Sequence, residues 1–236
     1  MSNASQGDRK AAISAAVSNF LTRYRIPIIV TLVAVLVLVV ALFVYFEIRD
    51  NRAQAAAEEL AGLEESFSAW QEAQQAEEDG ADQLRETFIA DAEELISRYS
   101  GTYAAARARF LRGELHWVSE EWTQASEWYT QVAEEHPENH LAAIALYNAA
   151  AAHEEAGGVP AAIESLERLL AEFPESAELP RALFSLGRLQ ESQEEHELAA
   201  EHYRRLVEDY GASNWTNFAR DRIIFLTAEG LIEETS

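Results

Sequence analysis

The 236-residue chain carries 18 basic and 41 acidic residues, a formal charge of −23 at pH 7, and no cysteine. A surface of that sign repels nucleic-acid phosphates and anionic lipid headgroups, so neither is an expected ligand of the soluble part. The missing cysteine excludes disulfides, thiolate metal sites and cysteine nucleophiles.

Residues 1–8 are small and polar and read as an unstructured start. Residues 9–25 place Ile13, Val17, Phe20, Leu21 and Tyr24 at helical spacing, with Arg9, Lys10, Arg23 and Arg25 near the ends. That is the pattern of a short interfacial helix, either an extra membrane foot or a docking element for a membrane partner. Pro27 marks an expected bend. Residues 26–46, IPIIVTLVAVLVLVVALFVYF, are uncharged over 21 positions. As a helix they extend about 31 Å, against a hydrocarbon core of about 30 Å, and so read as one membrane crossing. A buried core helix would need more protein around it than the short segment ahead of it supplies. The other rival, a cleaved signal peptide with Ala53-Gln54-Ala55 as its site, fits poorly: signal cores run about 7–15 residues, and Arg49, Asp50 and Arg52 intervene. Four basic residues precede the run, whereas only Arg49 and Arg52 follow it, interleaved with Glu47 and Asp50. This bias keeps the amino terminus in the cytoplasm and exports the rest, to the periplasm in a bacterium. The exported part, residues 53–236, has 12 basic and 38 acidic residues.

Beyond the apolar run, Leu60, Leu63, Phe67 and Trp70 form one helical stripe, residues 79–82 break the period, and residues 84–99 resume it with Phe88, Ala92, Leu95 and Ile96. A helical hairpin is expected, and strand signals are absent. From there the chain repeats every 37 residues: Gly113, Ala150 and Gly187; Ala125, Ala162 and Ala199; Tyr129, Leu166 and Tyr203; Pro137, Pro174 and Gly211. Small residues let paired helices approach, and a large side chain four positions after the second small one fills the space between hairpins. Proline or a left-handed glycine then ends the second helix. At the end, Ser213 is positioned to cap a last helix in which Trp215, Phe218, Ile223 and Phe225 face the stack, while Arg220, Asp221 and Arg222 face water.

This spacing resembles the tetratricopeptide repeat, with repeats at 103–137, 140–174 and 179–211 and a degenerate pair ahead of them. The family's usual period is 34, and the first repeat has Arg112 where leucine is typical and His116 where an aromatic is. The expected fold is all-α: a cytoplasmic tail (1–25), a single transmembrane helix (26–46), an outward helix and degenerate hairpin (47–99), and a helical-hairpin solenoid with a capping helix (100–236). Catalysis has no visible candidate. The six histidines, His116, His136, His140, His153, His196 and His202, form no H-E-x-x-H pair, and phosphate-cradling, dinucleotide and G-x-S-x-G motifs are absent. No enzyme activity, cofactor or metal is expected.

The resemblance implies instead a concave groove lined by the first helix of each pair. Its positions fall at Arg107, Phe110, Glu114 and Trp117, then Ile144, Tyr147 and Glu154, then Arg181, Phe184, Arg188 and Glu191. Arginines there would offer paired hydrogen bonds to a carboxylate or backbone of a protein or peptide partner. The competing reading is that Arg107 and Arg188 only neutralise nearby glutamates. The lysine and asparagine arrangement by which some members clamp a terminal carboxylate is absent. Trp122 and Trp128 read as hairpin packing. The whole layout resembles the ancillary SecYEG translocon subunit family of bacterial envelopes. That likeness implies an inner-membrane protein with its repeats in the periplasm, near the secretion channel, handing emerging proteins to chaperones. The alternative is an envelope-assembly or cell-division coordinator, which uses similar turns to Phe173-Pro174-Glu175-Ser176; lipid-anchored forms of it are disfavoured by the missing cysteine.

Overall fold

The computed structural model describes residues 3–233, and before residue 29 it describes side chains only at Ala15, Ser18, Arg23, Tyr24, Ile26 and Pro27. Among the described residues every regular element is a helix: α1 (Asn3–Gln75), α2 (Ala81–Arg98), α3 (Tyr103–Val118), α4 (Trp122–Glu135), α5 (Leu141–Glu155), α6 (Val159–Glu172), α7 (Leu179–Ser192), α8 (His196–Asp209) and α9 (Trp215–Ala228). The chain divides into two units, 1–52 and 53–236.

In the first unit, α1 contains a candidate membrane span. Its apolar stretch is long enough to cross a bilayer, and none of that stretch is buried by protein. Leu36, for example, is 62% exposed and Phe43 67%. Two expectations are corrected here. α1 begins at Asn3, so the start is helical, and residues 9–25 belong to this one helix rather than to a separate short one; Pro27 lies inside it. An internal proline removes one backbone bond, whereas a break would leave up to about four N–H and four C=O groups without partners. The expected stripe of Ile13, Val17, Phe20 and Leu21 lies outside the described side chains.

In the second unit, the outer part of α1 buries Leu60, Leu63, Phe67 and Trp70 against Phe88, Ala92 and Leu95 of α2 and Leu111 and Leu115 of α3. Phe67 meets the Phe88 ring at 5.3 Å. Helices α3 to α9 each pack on the next, and α3 also touches α5 and α7 touches α9, so the first helices of successive pairs adjoin. The 37-residue columns have the packing role expected of them. A Cβ built on Gly113 would stand 2.6 Å from Cε1 of Tyr129, and one on Gly187 2.4 Å from Cε1 of Tyr203. In the middle repeat the same two positions are Ala150 and Leu166, a larger small residue opposite a narrower large one, both buried.

Helix termination departs from expectation. Pro137 and Pro174 do follow the ends of α4 and α6. Gly211, however, is not left-handed; within this period the left-handed residues are Glu120 (φ 58°), Gly157 (φ 78°) and Glu194 (φ 63°), in the turns inside each pair. There the next N–H bonds back across the turn, from Glu121 to the His116 carbonyl at 2.8 Å, Gly158 to His153 at 2.8 Å and Glu195 to Gln190 at 2.9 Å. This is the Schellman arrangement, which needs a left-handed residue and occupies carbonyls that the helix end leaves open.

The last helix is corrected too. Ser213 Oγ does accept from the Trp215 N–H at 3.2 Å. The face of α9 that packs on α8 carries Thr216, Ala219, Ile223 and Leu226, spaced three, four and three apart. Trp215 and Ile223 pack on the stack as expected, whereas Phe218 and Phe225, together on one flank of the stripe, are 56% and 46% exposed, Phe218 reaching the Phe184 ring at 6.0 Å. Arg222 does not simply face water, for it pairs with Glu191 of α7.

Candidate functional site

Helices α3, α5 and α7 carry all eleven residues expected to line the groove, and nine of them fall into three kinds. Phe110 is buried in the core, 5.2 Å from the Tyr129 ring. Phe184 packs among Tyr203, Trp215 and Phe218. Four others are consumed by internal ion pairs. Arg107 donates through Nε to Glu64 at 3.0 Å and through Nη1 to Glu114 at 3.4 Å, with its guanidinium 5.5 Å from the Phe110 ring. Arg188 makes two bonds of 2.5 Å to the carboxylate of Glu154. Arg181 lies 3.5 Å over the Tyr147 ring, with Nε 2.8 Å from Glu178. Arg107 and Arg188 therefore neutralise glutamates with hydrogen bonds that occupy their donors, whereas Arg181 is paired by charge to Glu178 while its Nε and Nη2 make no hydrogen bond.

The remaining three, Glu114, Trp117 and Tyr147, come together. With Gln71, Tyr129 and Asn148 they line a pocket of about 330 Å³ on the first-helix face. Trp117 is held edge-on to Trp122 at 4.9 Å, and Tyr147 is tied to Ser185 through their hydroxyls at 3.3 Å. Burial raises the Glu114 carboxyl above its ordinary value; Arg107 opposes the shift and Glu64 adds to it. The Tyr129 phenol is likewise pushed up, by burial and then by Glu114. Ile144 belongs elsewhere, in a cavity of about 560 Å³ that also takes in His140, Phe173 and Pro174. Glu191 accepts from the Tyr203 hydroxyl at 2.7 Å and from Arg222. Burial acts upward on this carboxyl, but the bonds from Arg222 and Tyr203 outweigh it and hold the pKa low.

Sequence reasoning missed Gln71 and Asn148. Asn148 had a signal: in α5 it interrupts a run of alanines and apolar residues, LAAIALYNAAAA. Gln71 had none, because its place depends on how the end of α1 meets α3. The two atypical residues of the first repeat are also accounted for. Arg112 lies 4.2 Å over the Trp128 ring and bonds Glu93 at 3.0 Å, so Trp128 does pack within the hairpin. His116 places Nδ1 2.5 Å from Glu121, and burial depresses its pKa. Among the described residues no group of three or more His, Asp or Glu is arranged to hold a metal.

Comparison with known proteins agrees with this architecture. A model of the tetratricopeptide repeat-like domain matches residues 18–169, and one of the tetratricopeptide repeat matches 147–214. A "TPR repeat-containing protein" of Treponema pallidum (strain Nichols) is 27% identical over 130 residues, 54% of this chain and 53% of that protein, so the chain spans about half the length of the relative. Tetratricopeptide repeats are in general modules for binding proteins and peptides rather than enzymes. Since the first match runs through more than half of its residues, the chain belongs to the tetratricopeptide repeat-like domain family.

Proposed function

We propose that this protein is a membrane-tethered scaffold that holds segments of other proteins along α3, α5 and α7, outside the cytoplasm of a bacterial cell. The observation that carries this reading is the pocket of Glu114, Trp117 and Tyr147 on the face where the first helices adjoin. There Trp117 stands outside the internal ion pairs, and Glu114 is held only by its 3.4 Å contact with Arg107. The tether is residues 26–46, with 1–25 cytoplasmic and the solenoid exported. The basic bias ahead of the run supports this orientation, and the family match begins at residue 18, ahead of the apolar run. Confinement to the membrane surface raises the scaffold's effective concentration near a membrane partner without any new contact.

The finer role we assign is an ancillary one at the secretion channel, passing emerging chains to periplasmic chaperones. What supports it is the layout of basic foot, single span and compact acidic repeat unit. The turn Phe173-Pro174-Glu175-Ser176, which follows α6, favours a second reading as a coordinator of envelope assembly or division. Photo-crosslinkers placed at Trp117 and Tyr147, with Glu127 on the exposed face of α4 as control, separate the two. Channel and chaperone components captured from the groove but not from Glu127 support the first; division proteins alone support the second. Equal capture from both faces sinks the groove. A reporter fused after Ser236 that is active only in the cytoplasm refutes the orientation.

A further inference from the structure

We propose that the Glu114 pocket receives a cationic side chain of the bound segment, arginine in preference to lysine. This inference rests on the scaffold reading above and names the chemistry that the scaffold selects.

The structure shows repeatedly how this fold accommodates a guanidinium. Every basic residue of 53–236 is an arginine, and five of them are held in one way, between a carboxylate and an aromatic ring. Arg98 has Glu59 and Tyr99. Arg107 has Glu64 and Phe110. Arg112 has Glu93 and Trp128. Arg181 has Glu178 and Tyr147, and Arg222 has Glu191 and Phe225. The carboxylate supplies charge and paired acceptors, and the ring face attracts the flat cation once water is removed.

The pocket offers an incoming chain the same two partners. Glu114 supplies the carboxylate; its contact with Arg107 is long, at 3.4 Å, and Arg107 is held closer by Glu64, at 3.0 Å. Its side chain keeps 35% exposure, so a ligand can reach it. Trp117 supplies the open ring, beside Tyr147, over which Arg181 already lies, and the buried Tyr129, and the polar side chains of Gln71 and Asn148 line the same pocket. A carboxylate ligand would meet Glu114 with like charge, in a unit with 38 acidic residues against 12 basic ones. The flat walls favour the planar guanidinium, with its fork of donors, over a compact ammonium.

The test is selection of random dodecapeptides on the full-length protein in nanodiscs, run in parallel on wild type and Glu114→Gln. The substitution keeps the shape of the side chain and changes a very acidic surface by one charge, so general attraction of basic peptides is the same in both arms. The expected result is arginine enrichment at one peptide position on wild type and its loss on Glu114→Gln. For a selected peptide, replacing that arginine by citrulline should weaken binding to wild type about tenfold and to Glu114→Gln by less than about twofold. Peptides that bind wild type without cationic enrichment, or whose enrichment survives Glu114→Gln, overturn this inference and leave the scaffold standing. If no peptide is bound by either protein, the groove itself is refuted.

Discussion

Two helical glycines, Gly62 outside the repeat columns and Gly187 within one, make opposite predictions for the same substitution. Gly62 lies in the outer part of α1 with nothing within 4 Å of a built Cβ, so Gly62→Ala gains the helix preference of alanine, about 0.5–1 kcal/mol. Gly187 is also helical and makes the same gain, but its new Cβ would stand 2.4, 2.6 and 2.8 Å from Cε1, Cζ and Cδ1 of Tyr203. Relaxed carbon contacts are about 3.5–4.0 Å, so the overlap exceeds about 1 Å at its nearest point. The ring has little room to retreat, because Tyr203 is 0% exposed and its hydroxyl is held by Glu191. Overpacking of this kind costs about 1–3 kcal/mol, and losing the bond to the carboxylate would add about 1.5–3 kcal/mol. Gly187→Ala is therefore expected to destabilise by a net of up to about 2.5 kcal/mol if the hydroxyl bond is kept and by about 1.5–5.5 kcal/mol if it is lost. Urea unfolding of the full chain in nanodiscs can be followed by tryptophan emission, since all five tryptophans lie beyond residue 52. Among them Trp215 packs on Phe184, which packs on Tyr203. The double variant Gly187→Ala, Tyr203→Leu recreates the Ala150 and Leu166 pair and should lose about 0.5–3 kcal/mol less than the two single losses combined. Equal signs for Gly62→Ala and Gly187→Ala, or simple additivity in the double variant, would refute the argument.

The left-handed turns predict that Glu120→Gly and Glu194→Gly each raise stability by up to about 1 kcal/mol, whereas Gly157→Ala lowers it by about 1 kcal/mol; thermal unfolding in nanodiscs checks the signs. Arg112 occupies a position where leucine packs in related repeats, and its partner Glu93 is 63% exposed and can return to water. Arg112→Leu should stay within about 1 kcal/mol of wild type, and Arg112→Ala, which leaves a cavity against Trp128, should lose about 2 kcal/mol in the same assay. Burial lowers the pKa of His116 in the folded protein, so the unfolded chain binds the extra proton first. The contribution of neutral His116 is thus complete above the ordinary imidazole value of about 6.5 and is lost as pH falls through and below it. Urea titrations should show the stability difference between wild type and His116→Asn narrowing as pH falls from about 7.5 to about 5.5; a gap that widens would contradict the buried neutral imidazole.

What could be read from sequence was whatever depends on residues close together in the chain. Gly113 and Tyr129, Ala150 and Leu166, and Gly187 and Tyr203 are each 16 residues apart, within one hairpin, so their complementary sizes show in the columns and the structure finds them in contact. The left-handed turn was hidden because glutamate occupies it in two of its three occurrences. A backbone requirement is visible in sequence only where glycine meets it, and Gly157 alone did. The facing of α9 was misjudged because aromatic size stood in for burial. Its packing stripe carries the small Thr216 and Ala219 with Ile223 and Leu226, and the larger Phe218 and Phe225, seven residues apart, share one flank of it.

The groove was the least legible part, for a related reason. Placing arginines on α3 and α7 follows from a single helical period, but their engagement depends on partners far along the chain. Arg107 is answered by Glu64 on α1, and Arg188 by Glu154 on α5. Residue type at a groove position therefore says less than the balance of charge around it. In a unit so rich in glutamate, Arg107 and Arg188 each meet an internal carboxylate before any ligand arrives, and their donors are spent on holding neighbouring helices together. Binding chemistry then passes to whatever that pairing leaves accessible. Here that is a part-exposed carboxylate beside aromatic rings, and on this pairing, rather than on the groove arginines, the proposed cation site rests.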